Sequence, residues 1–190
     1  MISIKNEIGD EMEVKLDYEH EVTVPEMMDA RDHRVEMQRK LIAEFQHPVV
    51  CFMLNVPGPH KVGEDFEKAF RYGVKNINEA LEKHGMKKDA EKEEAFVTGY
   101  IYYVSVDADA VDIKKAMCEI EEKDRIGRIF DIDVLRTDGS KVSREEFGMG
   151  PRKCLMCELE AHICARNRTH TVKSMVEEIH RIIKESFAGT

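Results

Sequence analysis

The chain has 190 residues, with 29 Lys+Arg against 38 Asp+Glu and a formal net charge of −9, a length that suits one domain around one core. At 42% hydrophobic and 35% charged, its composition argues against wholesale disorder and against membrane residence. Val49–Leu54 is the longest apolar run and too short to span a bilayer, and the opening MISIKNEIGDEMEVK lacks the features of a signal peptide, so a cytoplasmic protein is expected.

Residues 1–26 carry eight acidic and two basic residues, so −6 of the −9 lies there. Weak alternation at Met12, Val14, Leu16 and Tyr18, then at Val22 and Val24, is compatible with a short strand or hairpin or with a solvated acidic arm. From Pro25, suited to a first helical turn, PEMMDARDHRVEMQRKLIAEF predicts a helix with Met27, Met28, Val35, Leu41, Ile42 and Phe45 on one stripe. Val49–Leu54 reads as a buried strand, and Pro57, Gly58 and Pro59 stiffen the loop Asn55–Lys61 that follows. A helix is expected over Glu64–His84, stopped at Gly85. Ala95–Val106 reads as a strand, with Asp107 capping a helix over Ala108–Lys123. Arg128–Leu135 is the third strand, and Thr137–Ser140 is a turn that returns Lys141–Val142 as a hairpin. Ser143 and Glu146 have capping-box spacing for a short helix, and Val172–Phe187 closes the chain as a helix.

The expected class is α+β: a single mixed β-sheet with helices packed on it, in αβαβαβ order plus a hairpin, followed by a Cys-rich segment closed by a helix. An arm or hairpin over 1–26 precedes a single domain over 27–190.

Three segments bear on chemistry. Asp131 and Asp133 share one strand face while Phe130, Ile132 and Val134 turn into the core. Such a pair suits Mg²⁺, a hard cation that also takes phosphate oxygens; from so common a pattern alone, two acids on a solvated face by chance are the simpler account. In the proline loop, Asn55 can read an amide or hydroxyl and Lys61 a phosphate, although an ordinary connector accounts for the composition. The sharpest signal is Cys154-x2-Cys157-x6-Cys164-x5-His170. Four such ligands within seventeen residues can close a tetrahedral Zn²⁺ site. Reduced structural cysteines and a CxxC redox pair are the alternatives, and five cysteines without a secretory signal argue against a disulfide framework. Arg152, Lys153, Arg166 and Arg168 surround this segment, over 150–170, as a basic patch. Arg31 and Arg34, three apart on the first helix, can reach the same pocket or form a solvated face.

Together these segments resemble one family, the holo-citrate-lyase synthases or apo-citrate lyase phosphoribosyl-dephospho-CoA transferases. The resemblance rests on Arg31-Asp32-His33-Arg34, Pro57-Gly58-Pro59-His60-Lys61 and Gly127-Arg128-Ile129-Phe130-Asp131-Ile132-Asp133-Val134. It continues through Ser143-Arg144, Pro151-Arg152-Lys153-Cys154-Leu155-Met156-Cys157 and Ala161-His162-Ile163-Cys164-Ala165-Arg166, in the family's order over residues 27–185. Two positions depart from it: Met37 stands where members carry another arginine, and His60 where they are usually apolar.

The resemblance implies transfer of a prosthetic group from 2′-(5″-triphosphoribosyl)-3′-dephospho-CoA to a serine of the apo acyl carrier subunit of citrate lyase, with release of pyrophosphate. It is a nucleotidyltransferase-type reaction. Asp131 and Asp133 would then hold Mg²⁺, one of them also accepting the serine proton. Arg31, Arg34, Asn55, Lys61, Arg128, Arg152, Arg166 and Arg168 are the candidates to contact the donor. The site formed by Cys154, Cys157, Cys164 and His170 would hold its basic loop in place. A related transferase serving the carrier of malonate decarboxylase is the nearest alternative. A zinc-knuckle module for single-stranded nucleic acid fits less well, because no Phe, Tyr or Trp lies between Gly148 and Phe187 to stack bases.

Overall fold

The computed structural model describes residues 2–5 and 11–188, with side chains from Val14 onward. Near the N-terminus, β1 (Ile2–Lys5) and β2 (Glu11–Val14) pair antiparallel. This pairing joins 2–5 to 11–14 and not the alternating residues at 12–18 and 22–24, which form no second strand after Val14; Met1 and residues 6–10 lie outside the described residues. Leu16 and Tyr18 pack onto the main core, and the Val22 N–H donates to the Pro59 carbonyl at 3.0 Å, which ties the acidic segment to the proline loop.

The first helix, α1 (Val24–Phe45), starts where Thr23 and Glu26 exchange the two hydrogen bonds of a capping box. After it come β3 (Val49–Leu54), α2 (Glu64–Lys83), β4 (Lys87–Phe96), β5 (Gly99–Asp107), α3 (Ala110–Lys123) and β6 (Phe130–Leu135). Asp109 caps α3 by accepting the Val111 and Asp112 N–H groups, a cap two residues later than Asp107, the position expected from sequence. A 3₁₀ turn over Ile126–Ile129 leads into β6, and another over Arg144–Phe147 starts on the Ser143/Glu146 capping box. The chain ends in α4 (Ala161–Arg166) and α5 (Val172–Ser186).

The four-stranded sheet has the order β4-β5-β3-β6, and every ladder in it is antiparallel. The α+β class and the helices packed on one main sheet hold; the expected mixed pairing does not. The expectation treated 95–106 as one strand, but the chain reverses at Val97-Thr98, so β4 and β5 form a hairpin. With that extra strand, each βαβ crossover skips one position and the strand between runs the opposite way. The βαββαβ order and sheet are those of a split-βαβ, ferredoxin-like arrangement. The hairpin expected at Lys141–Val142 shrinks to one bridge between Leu135 and Lys141 plus a Val142 N–H bond to Val134.

Both faces of the sheet are covered. One packs Val50, Phe52, Tyr100, Tyr102, Phe130 and Ile132 against α2, α3 and α5. The other packs Val49, Cys51, Ile101 and Tyr103 against Met37, Leu41 and Ile42 of α1. Central strands β3 and β5 therefore read as nearly unbroken buried runs, and edge strand β6 alternates. Among the described residues, no helix is long and apolar enough to cross a membrane.

Candidate active site and metal cluster

Chemistry-bearing side chains gather where β3 ends and β6 begins. Leu54 pairs with Phe130 in the ladder, and the next residue, Asn55, donates its N–H to the Ile129 carbonyl at 2.8 Å. The proline loop and the 3₁₀ turn carrying Arg128 are thereby held side by side.

On β6, Asp131 and Asp133 stand on the face opposite Phe130, Ile132 and Val134, beside Met53 and Cys51 of β3. Asp131 is open to solvent, yet protein mass around it and the repulsion of Asp133 raise its pKa. Arg152, Lys141 and Lys114 act in the opposite sense. Asp133 pairs with Lys141, which the turn at 137–140 returns alongside it. Among the described residues, no third His, Cys, Asp or Glu joins the pair closely enough to complete a cation site. Two carboxylates by themselves make an incomplete cation site; Mg²⁺ held there would take its remaining ligands from water and substrate phosphates.

A cleft of about 730 Å³ opens beside Ile129, at the turn into β6; Asp131 and Asp133, on the other face of that strand, do not line it. Asn55, Arg128, Arg152 and Arg168 supply its polar lining, while Leu155, Val172, Met175 and Ile179 supply an apolar wall. A second hollow of about 440 Å³ shares Arg128, Arg152 and Lys153 and reaches Glu121 and Arg144. Arg152 donates to the Arg128 carbonyl at 3.0 Å, and Arg128 donates to the Lys153 and Cys154 carbonyls at 2.7 and 3.1 Å. These bonds tie the loop over 151–154 to the start of β6.

Beyond that loop, one ligand atom each from Cys154, Cys157, Cys164 and His170 lies within 4.8 Å of all the others. The Cys157 and Cys164 sulfurs are 3.9 Å apart, close to the edge of about 3.8 Å for a tetrahedron with Zn–S near 2.3 Å. His170 Nε2 is buried without a hydrogen-bond partner among the described residues, as expected of an atom reserved for a metal. Burial and a hydrogen bond with Cys154 push the Cys164 thiol up to about 11. Burial also acts against the Cys154 thiolate, but hydrogen bonds from the Met156 N–H, the Cys164 thiol, and the Cys157 N–H and thiol together outweigh it, and its pKa is lowered. Three sulfurs and one imidazole nitrogen gathered this closely suit a metal such as zinc with no open position, whose binding would displace the thiol protons. The missed helix α4 presents Cys164, while the Cys154 N–H donates to the Leu159 carbonyl to close the knuckle.

Several expected donor contacts are placed elsewhere. Lys61 donates to the Val56 carbonyl at 2.6 Å and lines neither hollow; burial lowers its pKa, so it serves its own loop. Arg31 and Arg166 are exposed and also line neither. For Arg31 the reason is topological, because α1 covers the sheet face away from α5. Arg34, on that same helix, brings Nη1 to 2.6 Å from Met53 Sδ, the residue paired with Asp131. It thus lies on the acid-pair face rather than in the cleft. Met37 is buried in the α1 core and His60 sits 3.7 Å from Glu21, so neither departure from the family pattern falls in the cleft.

Lys141, Arg144, Lys114 and Glu121 were not singled out from sequence. Lys141 had a signal, since its turn folds it against β6. The two α3 residues had none, because their partners, the Ile132 backbone and for Glu121 also Arg144 and Arg152, are remote in sequence.

A family model for apo-citrate lyase phosphoribosyl-dephospho-CoA transferase matches residues 22–186. Proteins of that name from Escherichia coli O1:K1 / APEC and from Shigella boydii serotype 18 are each 31% identical over 166 residues, covering 87% of this chain and 91% of the relative. The matched span takes in the acid pair, the basic cleft and the cysteine cluster. This chain belongs to the family of apo-citrate lyase phosphoribosyl-dephospho-CoA transferases.

Proposed function

We propose that the protein attaches the phosphoribosyl-dephospho-CoA group to a serine of the apo acyl carrier subunit of citrate lyase. The donor is the triphosphoribosyl-dephospho-CoA, and the reaction is of the nucleotidyltransferase type. The serine oxygen bonds to the α-phosphorus, the bond from that phosphorus to the bridging oxygen breaks, and pyrophosphate leaves with the electron pair. One observation carries the reading: in a member of this family, a basic and part-apolar cleft opens at the turn that leads into β6, the strand that bears the carboxylate pair.

The division of labour follows from charge. Asp131 and Asp133 hold Mg²⁺, which when bound neutralises charge on the triphosphate. Arg128, Arg152 and Arg168 take phosphate oxygens, and Asn55 reads a neutral polar group at the rim. The apolar wall of Leu155, Val172 and Met175 suits the remainder of the dephospho-CoA portion. One of the two carboxylates also accepts the serine proton. In-line displacement at phosphorus asks the protein for positioning and charge more than for covalent participation. The Cys154, Cys157, Cys164 and His170 site holds zinc in a structural role, fixing the loop that carries Arg152 and the segment that carries Arg168.

The test is mass spectrometry of the apo carrier after incubation with Mg²⁺ and the donor. The expected result is a mass gain of one prosthetic group on serine, dependent on Mg²⁺. An unmodified carrier, while a known synthase modifies it in parallel, refutes the reading; modification of a malonate decarboxylase carrier instead reassigns the acceptor.

A further inference from the structure

The acid pair and the basic wall belong to different elements, and one buried carboxylate touches both. Glu121 of α3 is 2% exposed. Its Oε1 accepts the N–H of Ile132, the residue between Asp131 and Asp133, at 3.2 Å. The same oxygen lies 3.6 Å from Nη1 of Arg152, which lines both hollows. Oε2 stands 3.7 Å from Nη2 of Arg144 and, buried, accepts no hydrogen bond among the described residues. Lys114, two turns earlier on α3, donates to the Ile132 carbonyl. Helix α3 therefore grips the outer edge of β6 at a single residue, through one acceptor and one donor.

The close approach has its own cause in the sequence. A Cβ on Gly127 would stand 2.3 Å from the Ile120 carbonyl oxygen and 3.1 Å from that of Glu121. Only glycine lets the turn before β6 lie this near the α3 backbone, so Gly127 sets the distance that Glu121 spans.

Satisfying an edge-strand N–H does not call for a charge. A glutamine would accept that bond with a smaller desolvation penalty. A buried carboxylate at this position gains from the guanidinium groups of Arg152 and Arg144. We propose that Glu121 is a positioning residue that fixes the acid pair of β6 relative to the cationic wall of the cleft, acting through the Ile132 N–H on one side and Arg152 on the other. It touches no reacting atom in this assignment, and its kinetic consequence rests on the transferase reading above.

Glu121→Gln keeps a carbonyl acceptor for Ile132 and removes the charge that holds Arg152. The expected result is a loss of about 10- to 100-fold in kcat with a change in donor KM below about threefold, as for other groups that orient a site from behind. On an Arg152→Gln background the same substitution should cost less than about twofold, because its partner is already gone. A full loss on that background, or an unchanged kcat on the natural one, overturns the proposal. A second measurement needs no turnover: phenylglyoxal modification of Arg152, followed by peptide mass spectrometry, should run severalfold faster in Glu121→Gln. Equal modification rates also overturn it. If wild-type protein fails to modify the carrier but Arg152 still becomes more reactive in the variant, the transferase reading falls and the Glu121–Arg152 coupling stands. Glu121→Asp, which keeps the charge but withdraws it by one methylene, is measured the same way if the glutamine variant does not fold, with the same loss of kcat and gain in Arg152 reactivity expected.

Discussion

Gly58 sits in the proline loop with φ 84°, and a Cβ there would meet Val172 Cγ1 at 3.0 Å and Val176 Cγ2 at 3.9 Å. Gly58→Ala therefore imposes two separate costs. The left-handed backbone costs an L residue about 1–2 kcal/mol. The contact with Val172 would add about 1 kcal/mol if nothing moved, but Val172 is 51% exposed and can turn away, so the backbone cost dominates. Reduced freedom of the unfolded chain returns about 0.4–1 kcal/mol. The net destabilisation is about 1 kcal/mol, which for a chain of this size lowers Tm by about 2–4 °C. Differential scanning calorimetry checks the shift, and repeating the substitution on a Val172→Ala background separates the costs. More than half of the loss should remain on that background. An unchanged Tm, or a loss that vanishes once Val172 is shortened, refutes the reasoning. Because Pro57 and Val172 both line the cleft, kcat/KM for the donor should fall along with stability.

Four further outcomes follow from the same geometry. Asp131→Asn and Asp133→Asn should each slow carrier modification by at least ~10²-fold if the pair positions Mg²⁺, and near-normal turnover removes that residue from the mechanism. Burial and Asp133 raise the Asp131 pKa, so the folded state binds more protons than the unfolded one between the ordinary aspartate value and the raised one. Stability contributed by this group accordingly falls as pH rises through that window; Asp131→Asn should raise Tm at neutral pH while abolishing activity, and a lowered Tm would contradict the assignment. Elemental analysis should find about one zinc per chain, and Cys157→Ser should lower both metal content and Tm; less than half an equivalent in protein handled free of added metal leaves the thiols without that role. Lys61→Met should leave donor KM within about threefold, since the ammonium serves the Val56 carbonyl rather than a phosphate, and a larger rise would restore Lys61 to the donor site.

The parts of the site that sequence conveys are those whose partners are near in sequence. Cys154, Cys157, Cys164 and His170 lie within one short segment, so their spacing alone implies the cluster that the fold assembles. Asp131 and Asp133 were placed on one face by strand alternation, and the structure has them there. Strand β4 was missed because KKDAEKEEA reads as a solvated stretch. It is an edge strand, and charged residues are what keep such an edge from pairing with other chains. The turn at Val97-Thr98 was missed as well, since both residues are β-branched and seem to continue a strand only while Gly99 is read as part of it. Arg31 and Arg166 were indistinguishable from Arg128 and Arg152 by residue type; what separates them is which face of the sheet, or which side of α4, they occupy. Glu121 looked like one acid among many on α3 until its burial against β6 was known.

The ladder that seats the acid pair joins residues far apart in the chain: Val49 pairs with Leu135 and Met53 with Asp131. Contacts of such separation close late in folding, because the loop entropy must be met before the pairing contributes. A nascent chain that has made only α1, β3 and the β4–β5 hairpin therefore has a sheet with an open edge along β3 and no acid pair beside it. Synthesis through β6 both seals that edge and assembles the reacting centre, so a chain truncated before β6 is at once inactive and prone to aggregate.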